Sequence, residues 1–205
     1  MFKQVIVGYS GHSYVVLDAA RESGLNVEAY TESKELSLNP YDLEYLGLET
    51  DYNFKGWGKS FEFILGIGDN KIREKITQLI ISKNESLLSV IHPSAKLGKL
   101  VDVGNGTFIG AGVMVNSFVE IGKSVIINTG AIVEHECQIG NYVHVAPGAV
   151  LTGKVEVGDR SFIGANSVIK EGLKIGENVI IGAGTVVLKD VESNCKIAGN
   201  PGKVI

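Results

Sequence analysis

From residue 91 to residue 187 every sixth position is Leu, Ile or Val, in the series Ile91, Leu97, Val103, Ile109, Val115, Ile121, Ile127, Val133, Ile139, Val145, Leu151, Val157, Ile163, Ile169, Ile175, Ile181, Val187. A period of six belongs neither to a helix nor to a flat strand. It predicts a chain wound as a triangular prism, a parallel β-helix, in which each short strand turns one aliphatic side chain inward. Four places after each aliphatic stands a small or β-branched residue, such as Val113, Val125, Ala131, Cys137, Ala149 or Ser161, sized to fill the thin interior beside it. Gly often follows the aliphatic directly, as at Gly98, Gly104, Gly122, Gly158 and Gly164. The expected reason is a corner that needs positive φ. Three hexads make one coil of about 18 residues, so the segment predicts about five coils.

Before residue 89 the pattern changes. Lys3–Val7 predicts a buried strand, Gly8-Tyr9-Ser10-Gly11-His12 a tight loop, and Ser13–Ser23 a helix with Val16, Leu17 and Ala20 on one side, ended by Gly24. Val27–Tyr30 and Phe61–Ile67 predict further strands, and Asp69 or Asn70 caps a helix running through Ile80. Alternating strands and helices imply a small, Rossmann-like parallel α/β sheet. Thr31–Lys59 shows no clear period. The expected division is residues 1–88 as the α/β domain and 89–205 as the β-helix.

Composition narrows the setting. There is no apolar run of membrane-spanning length, and the two cysteines, Cys137 and Cys195, lie far apart. Together they predict a cytoplasmic chain with no membrane partner and no disulfide framework. A net charge of −4 without a basic cluster argues against nucleic acid.

The richest chemistry lies in Asn128–Glu136. With Val133 and Cys137 pointing inward, His135 points outward near a corner with an acid on each side. A neutral imidazole there can take a proton from an attacking amine or hydroxyl, and Glu136 is the favoured orienting carboxylate. The bland alternative is a solvated histidine. One coil on, 135 + 18 = 153, stands Gly153, whose N–H suits a thioester oxyanion. Pro147, Ala165 and Ala183, read as a neighbouring column, leave room for a slender ligand such as the pantetheine arm of coenzyme A; His144 is placed beside the same groove. Cys137 reads as an inert interior thiol. In the first part, Gly8, Ser10, Gly11 and His12 form either a phosphate cradle or a tight turn. Glu32, after the second strand, is either a ribose-binding acid or a solvated one, and Gly68 ends another strand facing the same crevice. No metal site is expected, since a zinc hydratase would need three imidazoles around one ion and the prism offers only His135 and His144.

These residues, the Gly66-Ile67-Gly68-Asp69-Asn70 segment and the closing Ala198–Lys203 together resemble the bacterial hexapeptide-repeat acyltransferases. The similarity is closest to the sialic acid O-acetyltransferase and UDP-amino-sugar N-acetyltransferase family. The resemblance implies a left-handed β-helix, a homotrimer with sites between adjacent prisms, acetyl-CoA as cosubstrate, and a nucleotide-linked amino sugar held by the N-terminal domain. It implies His135 as general base with Glu136 assisting, His144, Gly153, Ala165 and Ala183 near the acetyl group and coenzyme, and Asn128 near the sugar. The expected activity is N-acetylation of a UDP-4-amino sugar; sugar O-acetylation and a non-catalytic β-helix are the alternatives.

Overall fold

The structure, a computed structural model, describes residues 3–59 and 61–205. The N-terminal part is a five-stranded parallel sheet. Its elements are β1 (Lys3–Val7), α1 (Gly11–Glu22), β2 (Val27–Thr31), β3 (Glu44–Tyr45), β4 (Phe61–Leu65), α2 (Asn70–Ser82) and β5 (Ser86–Leu87), with strand order β3-β2-β1-β4-β5. Of the two candidate caps, Asp69 is the one that closes α2, its carboxylate accepting from the N–H groups of Lys71 and Ile72 at 2.9 Å. The unreadable stretch after β2 holds the two-residue β3, too short for any period to show.

From Val90 onward the chain is a parallel β-helix with three faces. Face 1 carries Val90–Ile91, Phe108–Ile109, Ile126–Ile127, His144–Val145, Phe162–Ile163, Ile180–Ile181 and Lys196–Ala198, closed by antiparallel Lys203–Val204. Face 2 runs from Lys96–Leu97 through Ile132–Val133 and Val150–Leu151 to Val186–Val187, and face 3 from Asp102–Val103 to Lys174–Ile175. From Val90 to Val187 each strand pairs in register with the one 18 residues away, as in Ile132↔Val150 and Val133↔Leu151; the last coil is shorter, with Ile180 opposite Lys196. The hexad aliphatics from Ile109 onward and the small residues four places later form one buried column down the prism. Each buried aliphatic contributes roughly 1.5–3 kcal/mol, and no coil can bury its own without the next.

The glycines after the aliphatics have a different cause from the one expected. None of Gly98, Gly104, Gly122, Gly158 and Gly164 has positive φ; that conformation falls three places after the aliphatic, at Leu100, Phe118, Ser124, Glu136, Tyr142 and Lys154 as well as at Gly106, Gly112 and Gly130. At the position directly after the aliphatic the next coil comes too close for a side chain. A Cβ on Gly104 would stand 2.5 Å from the carbonyl carbon of Gly122, and one on Gly164 2.5 Å from the carbonyl oxygen of Ile181.

The three faces differ outside. Val90, Phe108 and Ile126 of face 1 are buried in one cluster with Tyr9, Val16, Leu17 and Ala20 of the α/β part. Face 3 presents Asp102, Glu120, Gln138, Glu156 and Lys174. Face 2 presents an apolar ladder, Met114, Ile132, Val150, Val168 and Val186, in which Met114 is 44% and Val168 36% exposed. Arg73 on α2 ties the two parts together. It is 1% exposed, and its guanidinium donates to the carbonyls of Ser124 (2.7 Å), Tyr142 (2.9 Å), Gly68 (2.9 Å), Ile67 (3.2 Å) and Val143 (3.3 Å) and to Asn70 Oδ1 (2.8 Å).

Candidate active site

The in-register pairing that stacks Val133 on Leu151 also stacks His135 on Gly153 at the edge between faces 2 and 3. His135 is half exposed, with Nδ1 3.1 Å from Glu136 Oε1. A Cβ at residue 153 would stand 2.6 Å from its Cε1 and 2.8 Å from its Nε2, so the imidazole lies against bare backbone. Among the described residues the Gly153 N–H makes no backbone hydrogen bond, whereas the next N–H, of Lys154, donates to the His135 carbonyl at 2.9 Å. The two flanking acids have separate partners. Glu136 meets the imidazole, while Glu134 accepts from Asn116 Nδ2 at 2.7 Å. A carboxylate at Nδ1 favours the tautomer with the proton on that nitrogen, which leaves Nε2, beside Gly153, with the lone pair that a general base needs.

Pro147, Ala165 and Ala183 do not flank this column. They stand with Asn128 at the edge between faces 1 and 2, across face 2 from His135. His144 is separate again. It projects outward from face 1 toward the α/β part, its ring centroid 6.2 Å from that of His12 and 5.0 Å from that of Phe162, with Nε2 3.2 Å from Asn128 Nδ2. Burial foremost, then the Arg73 guanidinium, lowers both His12 and His144 to about 4, so both are neutral near pH 7. Cys137 is buried beside the edge, and burial pushes its thiol up to about 11, which leaves it inert.

At the carboxyl ends of the strands the α/β part has a crevice of about 350 Å³, lined by Gly8, Ser10, His12, Thr31, Glu32, Glu49, Gly66 and Gly68 among others. It opens between β1 and β4, where the chain turns to opposite sides of the sheet and such folds bind ligands. Gly8 has φ +83°, and a Cβ on Gly66 would stand 2.6 Å from Ser13 Cβ, so the two loops meet only because both are glycine. Ser10 leads into α1 without capping it with its side chain, and Gly11 opens the helix with nothing within 4 Å of a Cβ placed on it. The Ser13 N–H of the first turn donates to the Ser10 carbonyl at 2.7 Å, and the space beside Gly11 is open, so the N-terminus of α1 can be approached by an anion. Glu32 accepts from the N–H groups of Ser33 at 2.8 Å and Tyr9 at 3.4 Å. His12 Nε2 and Thr31 Oγ1 are buried in the crevice wall without a hydrogen-bond partner among the described residues.

Sequence reasoning missed Thr31, Glu49 and Arg73. For Arg73 a signal existed, since it shares one face of α2 with Ile76, Thr77 and Ile80, where an apolar residue belongs. Thr31 and Glu49 had none. Among the described residues no helix is long and apolar enough to cross a membrane.

Residues 118–153 and 154–189 match the family model of bacterial transferase hexapeptide repeats, and residues 3–80 match that of the PglD N-terminal domain. The class is therefore a hexapeptide-repeat transferase. Among solved structures, PerB from Caulobacter crescentus in complex with CoA and GDP-perosamine is 33% identical over 100% of this chain and 98% of that one, with a TM-score of 0.91. A His-to-Asn mutant of the Caulobacter crescentus perosamine N-acetyltransferase, with the same ligands, is 32% identical over 100% of this chain and 97% of that one, at 0.92. The acetyltransferase domain of PglB from Neisseria gonorrhoeae FA1090 is 28% identical over the whole of both chains, at 0.93. A comparison with curated proteins finds no match. The chain belongs to the hexapeptide-repeat transferases with a PglD-type N-terminal domain, and it is an acyltransferase of that family.

Proposed function

We propose that the protein transfers an acetyl group from acetyl-CoA to the amine of a nucleotide-linked amino sugar, with His135 as general base. The observation that carries this reading is the imidazole lying on Gly153 with Glu136 at its Nδ1. The amine attacks the thioester carbonyl, forming the C–N bond; Nε2 of His135 takes the amine proton, and Glu136 steadies the imidazolium. The Gly153 N–H receives the developing oxyanion. The C–S bond then breaks, and the proton passes to the departing thiolate of CoA. Relatives solved with CoA and GDP-perosamine, one of them with a histidine replaced, support both substrate classes. The resemblance alone would make the nucleotide UDP.

His135 lies on the edge opposite face 1, whereas the crevice belongs to the α/β part packed on face 1. A sugar held in the crevice therefore meets the base of another copy. The apolar ladder of face 2, flanked by the His135 edge and the Ala165–Ala183 edge, supports packing of three prisms with acetyl-CoA between them. Sedimentation giving only monomer at assay concentration removes the shared site. The free thiols at Cys137 and Cys195 suit a reducing cytoplasm. The test of the chemistry is CoA release from a panel of nucleotide-linked amino sugars and their hydroxyl analogues. His135→Ala is expected to lower kcat by about a hundredfold or more. Turnover near the parent rate refutes the assignment.

A further inference from the structure

Glu49 is a carboxylate that the folded chain leaves unanswered. It is 5% exposed, it lines the crevice, and among the described residues no hydrogen bond or ion pair reaches it. The N–H of Glu32 donates to the carbonyl of Gly47 at 3.1 Å, which sets Glu49 just past β3, beside the end of β2. Glu32 already occupies the place of a ribose-binding acid and is held there by two backbone amides. A second, independent sign of a ligand stands next to it. Thr31 is fully buried in the same wall, and among the described residues its Oγ1 has no partner.

A ligand that completes Glu49 must bring N–H groups, and a carboxylate accepts best from two side by side. Among nucleobases only guanine offers two adjacent donors on one edge, its ring N1–H and its 2-amino group. Uracil and thymine have one N–H between two carbonyls, both of which a carboxylate repels. Adenine and cytosine set an amino group beside a ring acceptor. Resting on the nucleotide-sugar reading above, we propose that the crevice takes a guanosine diphosphate-linked sugar and that Glu49 is the residue that selects the base. The diphosphate lies toward Gly8 and the α1 N-terminus, the ribose at Glu32, and the guanine edge against Glu49.

The test is calorimetric titration of the full chain with GDP, inosine diphosphate and UDP, together with Glu49→Gln, an isosteric change that leaves the fold intact. GDP is expected to bind about tenfold or more tighter than UDP, and inosine diphosphate, which lacks only the 2-amino group, to fall between them. Glu49→Gln is expected to weaken GDP by about tenfold or more, to narrow the gap between GDP and inosine diphosphate, and to leave UDP no weaker, since the repulsion of its carbonyls is gone. UDP binding as tightly as GDP overturns the proposal. Equal weakening of all three nucleotides by Glu49→Gln, the mark of a ribose contact, overturns it as well. Binding of acetyl-CoA with none of the three nucleotides refutes the nucleotide-sugar reading itself, and the assignment of Glu49 falls with it.

Discussion

Gly153→Ala separates the position of the base from the integrity of the fold. An added Cβ would stand 2.6 Å from His135 Cε1 and 2.8 Å from Nε2. Carbon atoms rest at about 3.5 Å or more, so the imidazole must retreat by about 1 Å. The backbone at 153 is not in the left-handed region, and the obstacle is the end of a half-exposed side chain, so the fold gives way cheaply, by about 1 kcal/mol or less. The retreat also pulls Nδ1 off Glu136, which it meets at 3.1 Å. A misplacement of about 1 Å in a catalytic group costs about a hundredfold in rate. Gly164→Ala is the contrast, because there the Cβ would stand 2.5 Å from the carbonyl oxygen of Ile181 and 2.6 Å from the N of Ala183, backbone that cannot swing aside. That variant should lose about 1–3 kcal/mol of stability, as overpacked sites do. Thermal melting and steady-state CoA release distinguish the two. If Gly153→Ala keeps kcat within about twofold of the parent while His135→Ala is inactive, the base does not work from the position described.

Two further outcomes concern the junction. Arg73→Met leaves five carbonyls without their buried donor and should cost about 3 kcal/mol or more in a denaturant titration, with α2 the first element to lose protection in hydrogen exchange. His12 and His144 are lowered from 6.5 to about 4, so between those values the unfolded chain binds protons that the folded chain refuses, and stability falls as pH drops through 6.5 and levels off below about 4. The loss is of order 3 kcal/mol per histidine, and His144→Asn should flatten the curve by about half; an unchanged curve would show that the pair is not what titrates.

The prism was legible because its period is written into side chains that all meet the same interior. Stacking by 18 placed His135 on Gly153 correctly, since register in a β-helix leaves no freedom between coils. Two inferences from the same repeat needed correction, each for a reason that lies in space. Gly104 and Gly164 read as corners, yet what demands glycine is the backbone of the next coil, and the left-handed corner itself falls on Leu100, Phe118 and Glu136. Ala165 and Ala183 read as neighbours of His135, yet 165 differs from 153 by two hexads, which is a different corner of the triangle. Arg73 gathers acceptors from Ser124 and Tyr142, 51 and 69 residues away, and no local pattern announces such a meeting. Thr31 and Glu49 acquire meaning only where the ends of β1, β2 and β3 come together.

The proposed site also has a consequence for the number of chains one turnover needs. A prism edge lies opposite one face, and the His135 edge lies opposite the face that carries the α/β part, so in that proposal an acceptor held in the crevice of one chain meets the base of another. This has a numerical consequence. His135→Ala removes the base and leaves the crevice. Gly11→Asp places a negative charge at the open N-terminus of α1, where nothing stands within 4 Å of the new Cβ, and repels a diphosphate without straining the fold. Either variant alone is expected to be inactive. When the two are unfolded, mixed in equal amounts and refolded, each site draws its base from one chain and its crevice from the next. With random assortment each contribution is intact in half the chains, so about a quarter of the sites are whole. Recovery of about a quarter of the parent activity is expected; no recovery from a mixture shown to contain hybrid oligomers would mean that base and crevice serve the same site from one chain, against the topology that separates them.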